Sequence, residues 1–195
     1  MLKFLKEYIK NPRNIGAVAP SSSFLASEMI SNIDFNSAKC IVEYGPGTGV
    51  VTNRLIDSLA DTTIFLAFET NEIFYKKLVY KYGEIKNVHI INDSAENVKY
   101  YLTKFGISSV DYVVSGLPFA SLPSDVSENI IRATYDILGD TGEFITFQYT
   151  KFKKKFFQNN FSSIKIQCVL RNLPPAYVFR CANVSVNSSK EKLTM

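Results

Sequence analysis

Glu43, Glu69, Asp93 and Ser115 each sit at the end of an apolar run of strand character, and a glycine-rich turn separates the first two. Ile41 and Val42 lead into Glu43-Tyr44-Gly45-Pro46-Gly47-Thr48-Gly49. Gly45, Gly47 and Gly49 remove side chains where a backbone must approach a ligand closely. A helix beginning near Val50 would present its free N–H groups to whatever lies over that turn. About 20 residues further on, Ile64 to Phe68 form a second buried strand closed by Glu69, the position from which an acid binds ribose hydroxyls in dinucleotide-binding sheets. A third run, Val88 to Asn92, ends in Asp93, with Ser94 and Ala95 beside it. This chemistry is nucleoside binding. The spacing departs from the dinucleotide fingerprint, because the third glycine follows the second by two residues instead of three.

Such residues meet only if a sheet brings the strand ends to one edge. Ser21 to Ser23 offer an N-cap for a helix to about Ile33, and the first strand follows. Then come a helix at Val51 to Leu59, a strand at Ile64, a helix at Glu72 to Tyr82, a strand at Val88 and a helix at Val98 to Phe105. A fourth strand spans Val110 to Ser115, a helix Val126 to Leu138, and a fifth strand Gly142 to Tyr149. Strict alternation implies a parallel sheet with helices on both faces. Ile164 to Arg171 and Tyr177 to Val186, joined through Asn-Leu-Pro-Pro, are expected to pair as an antiparallel edge hairpin. The expected fold is therefore α/β: a Rossmann-like seven-stranded sheet with an antiparallel C-terminal hairpin. Ligands of such sheets lie at the carboxyl ends of the strands, where Glu43, Glu69, Asp93 and Ser115 all fall.

A chain of 195 residues, 46% of them hydrophobic, fits one domain with a full core. Its net charge of +4 is too small to argue by itself for nucleic acid over an anionic membrane. Cys40, Cys168 and Cys181 stand in apolar strand contexts and read as buried thiols of a reducing compartment. The single histidine, His89, lacks paired ligand spacing, so no metal is expected. No apolar run reaches the roughly 18 residues of a membrane span. Lys3, Lys6, Glu7 and Lys10 interrupt the N-terminal apolar pattern, which argues against a secretory signal and for a cytoplasmic protein. The polar stretch 187–195 reads as a flexible tail.

The string Glu43 to Gly49 resembles the E-x-G-x-G-x-G turn of methyltransferases that use S-adenosyl-L-methionine and release S-adenosyl-L-homocysteine. That resemblance implies that Glu69 holds both ribose hydroxyls and that Asp93, flanked by Ser94 and Ala95, receives the adenine amine. The backbone from Gly45 to Gly49 would pass beside the methionine part, and Glu43 and Ser115 would complete the crevice. Ser115-Gly116-Leu117-Pro118-Phe119 resembles the Asn-Leu-Pro-Phe/Tyr motif of rRNA adenine dimethyltransferases, but Gly116 stands where their asparagine accepts a hydrogen bond from adenine. Over nearly the whole chain the sequence is more similar to the bacterial phospholipid N-methyltransferases. The matching stretches are Asn11-Pro12, Gly16 to Ser22, the glycine turn, Ser115 to Phe119 and Leu173 to Ala176.

The family resemblance implies stepwise methylation of a phosphatidylethanolamine-type headgroup amine, with Gly116, Leu117, Pro118 and Phe119 at the substrate. Tyr149 and Tyr177 are candidate proton acceptors, and with Phe119 they could hold a methylated ammonium by cation–π contact. Residues Leu2 to Lys10 place Leu2, Phe4, Leu5, Tyr8 and Ile9 on one helical side and lysines on the other, a pattern suited to a lid or to reversible contact with an anionic membrane. The segment 1–33 is thus expected to cover the site or to touch lipid, and the protein to be peripherally membrane-associated. Lys151, Lys153, Lys154 and Lys155, interleaved with Phe152 and Phe156, form a second basic patch. Two other readings stay open: an RNA adenine N6-methyltransferase, which the net charge favours and Gly116 disfavours, and a non-catalytic cofactor-binding module.

Overall fold

Short strands rich in Val, Ile and Phe on both sides of the pleat must be covered on both faces, and amphipathic helices between them supply the cover. The computed structural model describes residues 23–183, and its elements follow that logic. In chain order they are α1 (Ser23–Ile30), β1 (Cys40–Tyr44), α2 (Val50–Ser58), β2 (Ile64–Phe68), α3 (Glu72–Tyr82) and β3 (Val88–Ile91). A 3₁₀ turn (Ala95–Asn97) leads into α4 (Val98–Phe105), and β4 (Val110–Ser115), α5 (Ser124–Ile137) and β5 (Leu138–Gln148) follow. The chain then forms α6 (Lys154–Gln158), β6 (Ser163–Val169) and β7 (Ala176–Ala182). One sheet holds the seven strands in the order β3-β2-β1-β4-β5-β7-β6. β1 to β5 run parallel, and β7 is antiparallel to both β5 and β6.

Period-two alternation assigns neighbouring residues to opposite faces. On one face Ile41, Phe65, Val114 and Ile145 pack with Leu25 and Met29 of α1, Leu55 of α2 and Leu78 of α3. On the other, Val42, Leu66, Val113 and Phe144 pack with Val98 and Leu102 of α4, Ile130 and Ile137 of α5 and Phe157 of α6. The strand order reverses between β1 and β4, and this switch places the ends of the two strands, Tyr44 and Ser115, in register.

Some boundaries differ from the sequence reading. β5 begins at Leu138, directly after α5, instead of at Gly142. Its pairing with β4 slips between Val110 and Tyr112, and a Cβ at Gly142 would lie 2.9 Å from the Val110 carbonyl oxygen, so the glycine permits the irregular start. α1 stops at Ile30, with Ile33 closing only a turn onto the Ile30 carbonyl. Of the three cysteines expected in the core, Cys168 is exposed, because β6 is an edge strand whose outward positions have no covering helix. The amphipathic stretch Leu2–Lys10, the Gly16–Ser22 motif and the tail from Asn187 lie outside the described residues.

Candidate cofactor and acceptor site

The glycine turn leaves β1 with positive φ at Gly45 (64°), Gly47 (57°) and Gly49 (82°), so α2 starts without a side-chain cap and its first N–H groups stay free over the turn. A Cβ on Gly47 would meet nothing within 4 Å, which marks the open side of the turn. The turn is tied to β2 at two points: Gly45 donates its N–H to the Phe68 carbonyl at 2.9 Å, and Gly47 donates to Glu69 Oε2 at 2.9 Å. Glu69 Oε1 accepts the Asn71 N–H at 2.7 Å, and Asn71 in turn caps α3 through the N–H groups of Ile73 and Phe74. Burial raises the Glu69 carboxyl above its ordinary value, while those backbone donors oppose the shift. Glu69 thus braces the turn through both of its carboxyl oxygens.

Glu43 is the least satisfied group of the site. Its carboxyl is buried and its Oε2 has no hydrogen-bond partner; the neighbouring Thr52 hydroxyl is also buried without one. Burial pushes the Glu43 carboxyl up to about 8, with the nearby Thr52 hydroxyl pulling it down and the Glu69 charge adding to the rise. Thr52 is near enough to act on that carboxyl, but the two groups lack the geometry of a formed hydrogen bond.

Asp93 sits two residues past β3, and its orientation is fixed by its own loop. Oδ1 accepts from the Ser94 N–H at 2.7 Å and from Asn97 Nδ2 at 2.9 Å, and Oδ2 accepts from the Tyr101 hydroxyl at 3.0 Å. Partial burial pushes its carboxyl up, but these donors together hold it below the usual range. Ser94 caps the 3₁₀ turn through the Glu96 N–H. Ala95, next to Ser94, is buried with Val98 in the core cluster.

The wall of the crevice opposite β2 is built from the end of β4, which pairs with β1 on its other side. Gly116 donates its N–H to the Tyr44 carbonyl at 2.8 Å, and a Cβ at that position would stand 2.7 Å from the Gly45 carbonyl oxygen. Leu117 packs against Gly45 in return, with a Cβ there only 2.8 Å from Leu117 Cδ2. The two turns therefore interlock through missing side chains. The buried Ser115 hydroxyl accepts from the Leu117 N–H at 3.2 Å, and Gln148 Nε2 reaches the Leu117 carbonyl at 3.5 Å. Gln148 was missed in the sequence; a polar residue closing the fifth strand, as Ser115 closes the fourth, was the available signal.

Pro118 is exposed at the end of β4, but Phe119 is buried. Its ring is fully buried against Phe144 (5.9 Å between centroids) and Phe157 (5.6 Å), so it is a core residue and not a contact for a methylated ammonium. The two tyrosines do not converge either: Tyr149 packs on the α1 face of the sheet and Tyr177 on the α6 face. Burial raises the Tyr149 hydroxyl, outweighing a hydrogen bond from Asn172 that favours its ionised form, so it keeps its proton at neutral pH and is no base. The Tyr177 ring already carries the Lys151 ammonium, 4.9 Å from its centroid.

A curated relative, the ornithine lipid N-methyltransferase of Singulisphaera acidiphila, is 28% identical over 186 residues, covering 93% of this chain and 95% of the relative. No family model matches the chain. Among solved structures, a 1,6-didemethyltoxoflavin N1-methyltransferase of Burkholderia thailandensis with bound S-adenosylhomocysteine superposes with a TM-score of 0.70 at 12% identity, over 94% of this chain and 87% of that one. The precorrin-6y C5,15-methyltransferase of Geobacter metallireducens gives 0.63 at 16% identity, over 82% and 86%. The chain has the class I methyltransferase fold. Together with the curated relative, this supports a methyltransferase dependent on S-adenosylmethionine. The two structural neighbours are named for unrelated acceptors, so the methyltransferase fold by itself does not fix what is methylated.

The methyltransferase crevice described above suits that cofactor in its own geometry. A buried oxygen of the Glu43 carboxyl lacks a hydrogen-bond partner, and the free side of Gly47 leaves room for a chain to pass. Glu69 and Asp93 offer carboxylates along the same edge of the sheet.

Proposed function

We propose that the protein transfers a methyl group from S-adenosylmethionine to the primary amine of a lipid headgroup. The relative that matches along nearly the whole chain supplies the acceptor class, since its name specifies an ornithine lipid. Within this chain, the contact of Gly116 with the Gly45 carbonyl is the observation that favours this over the adenine reading. Asparagine cannot be placed at position 116 without displacing the glycine turn, so the side-chain amide that adenine methylation relies on has no room.

Bound S-adenosylmethionine supplies a methyl group on a sulfonium, which an aligned neutral amine can attack without metal assistance. Glu43, Glu69 and Asp93 hold and orient; the Leu117 carbonyl and Gln148 offer an acceptor and an amide at the entrance to the transfer site. An aliphatic ammonium with a lysine-like pKa must first lose a proton, at a cost of roughly 4 kcal/mol near pH 7. Ser115 and Gln148, the polar side chains of the described residues at this entrance, have no group that ionises at that pH, so the proton leaves to solvent.

The deciding assay offers labelled cofactor and detergent-dispersed phosphatidylethanolamine or ornithine lipid to the protein and identifies products by mass. Both headgroups present a primary amine, and transfer to at least one is expected, with phosphatidylethanolamine the first candidate. Saturable cofactor binding without transfer to either would overturn the lipid reading.

A further inference from the structure

Charge is segregated along this chain. Residues 23–143 hold nine Lys and Arg against sixteen Asp and Glu, whereas residues 144–183 hold seven against none. The second stretch also carries the most exposed leucines of the described residues: Leu170 is 76% and Leu173 86% exposed, in the turn joining β6 to β7. Phe152, in the loop after β5, is 83% exposed, and Phe24 at the start of α1 is 50% exposed with the Arg171 guanidinium 5.5 Å from its ring centre.

These side chains share one end of the sheet. β7 is antiparallel to β5, with Tyr177 opposite Gln148, so the Leu170–Leu173 turn lies at the carboxyl end of β5. Phe152 follows that same strand end, and α1, which runs back toward the start of β1, opens at the same edge. Ser115 is in register with Thr146, two residues before the end of β5, so the acceptor entrance opens beside this rim.

We propose that this rim, formed by the β5–α6 loop and the β6–β7 turn, docks the protein on an anionic bilayer with the acceptor entrance facing the lipid. Its functional meaning rests on the lipid-amine reading above. Apolar side chains held in water beside exposed Lys154 and Lys155 match an interface whose core is apolar and whose surface is negative. Lys151 and Lys153 lie over the Tyr177 and Phe156 rings, each at 4.9 Å, which keeps their charges at the same edge. Nucleic acid would use the cations and the Phe152 ring, but it gives no use to Leu170 and Leu173, the most exposed leucines of the rim, which a bilayer core accepts.

The chain has no tryptophan, which makes single-site reporters possible. F152W and L173W should move to shorter emission wavelengths when vesicles of phosphatidylglycerol and phosphatidylcholine are added to the full chain. Y80W, near the far end of α3, should not move. F152S/L170S/L173S should weaken sedimentation with those vesicles about tenfold or more, and K154E/K155E should abolish the preference for anionic over neutral vesicles. Both variants should retain wild-type affinity for S-adenosylhomocysteine by calorimetry, because they leave the crevice untouched. Blue-shifted emission before any vesicle is added would mean that a second copy or residues 1–22 cover the rim, and would overturn the proposal. So would vesicle binding without a shift in either reporter, or salt-sensitive RNA binding without vesicle binding. If the reporters shift and no dispersed lipid is methylated, docking stands and the acceptor reading falls. If dispersed lipid is methylated and the reporters stay still, docking falls and the acceptor reading stands.

Discussion

Glu43 carries a proton that the unfolded chain would release, because burial pushes its carboxyl from an ordinary 4.5 up to about 8. A raised folded-state pKa contributes stability that is complete below the unfolded value and is lost as pH rises through the folded one. Urea midpoints should therefore fall between about pH 5 and pH 8, and E43Q should flatten that fall. A cationic ligand group brought to the orphaned Oε2 favours the ionised form. Calorimetry at about pH 6.5 in two buffers should then register a proton released on cofactor binding by the wild type and none by E43Q; equal release by both would assign the proton elsewhere. Gly116 makes a steric demand instead of an electrostatic one. A methyl group 2.7 Å from a backbone carbonyl oxygen cannot be absorbed by a rotamer change, so G116A should cost about 1–3 kcal/mol in stability and weaken S-adenosylhomocysteine binding. An unchanged melting temperature with unchanged affinity would contradict the interlock of the two turns.

Arg180 joins elements that share no sequence neighbourhood. From β7 its guanidinium donates to the carbonyls of Glu28 and Met29 in the last turn of α1, each at 3.3 Å, and pairs with Glu143 on β5 at 3.2 Å. The side chain is buried, and α1 has no basic residue of its own in its last turn. Removing it leaves helix carbonyls and a carboxylate without their donor, so R180A should cost about 3 kcal/mol or more in urea unfolding, with R180K recovering part. A loss under 1 kcal/mol, roughly that of a surface ion pair, would show that solvent replaces it. The edge position of β6 has a chemical readout. Burial, with nearby Asp111 and Glu143 charges respectively, pushes the Cys40 and Cys181 thiols up to about 12, whereas Cys168 faces solvent. A disulfide reagent should label one thiol in the native protein and all three after denaturation; two fast thiols would show that the sheet edge opens.

For the molecule as a whole, the proposed amine transfer carries its own pH dependence, because Ser115 and Gln148 beside the proposed entrance have no ionisable group. If the described residues supply no base and the acceptor is an aliphatic amine, only its deprotonated fraction would react, and log rate should rise with slope near one from about pH 7 to pH 9. A plateau below about pH 8 would reveal a base that the described residues do not supply. The segregated charge acts at the same scale. The acidic part of the described chain spans β1 to β4, while the basic stretch lies across β5 to β7, so an anionic surface would meet the β5–β7 side of the sheet preferentially.

Local patterning determined a great deal. The alternation of apolar runs and amphipathic stretches dictates a parallel sheet with helices on both faces, because each strand and helix must bury its own apolar side. The strand-end positions of Glu43, Glu69, Asp93 and Ser115 follow from that alternation alone. Side-chain direction at loops and sheet edges does not, since it depends on what packs from distant parts of the chain. Phe119 enters the core because Phe144 and Phe157 leave it a place there. Cys168 stays outside because nothing covers the edge of β6. Tyr149 and Tyr177 are separated by the thickness of the sheet, which no linear spacing reveals. The sequence by itself determined the fold and the line of groups along the cofactor crevice. Only the tertiary structure decided which of those groups are free, which brace one another, and that position 116 has room for no side chain.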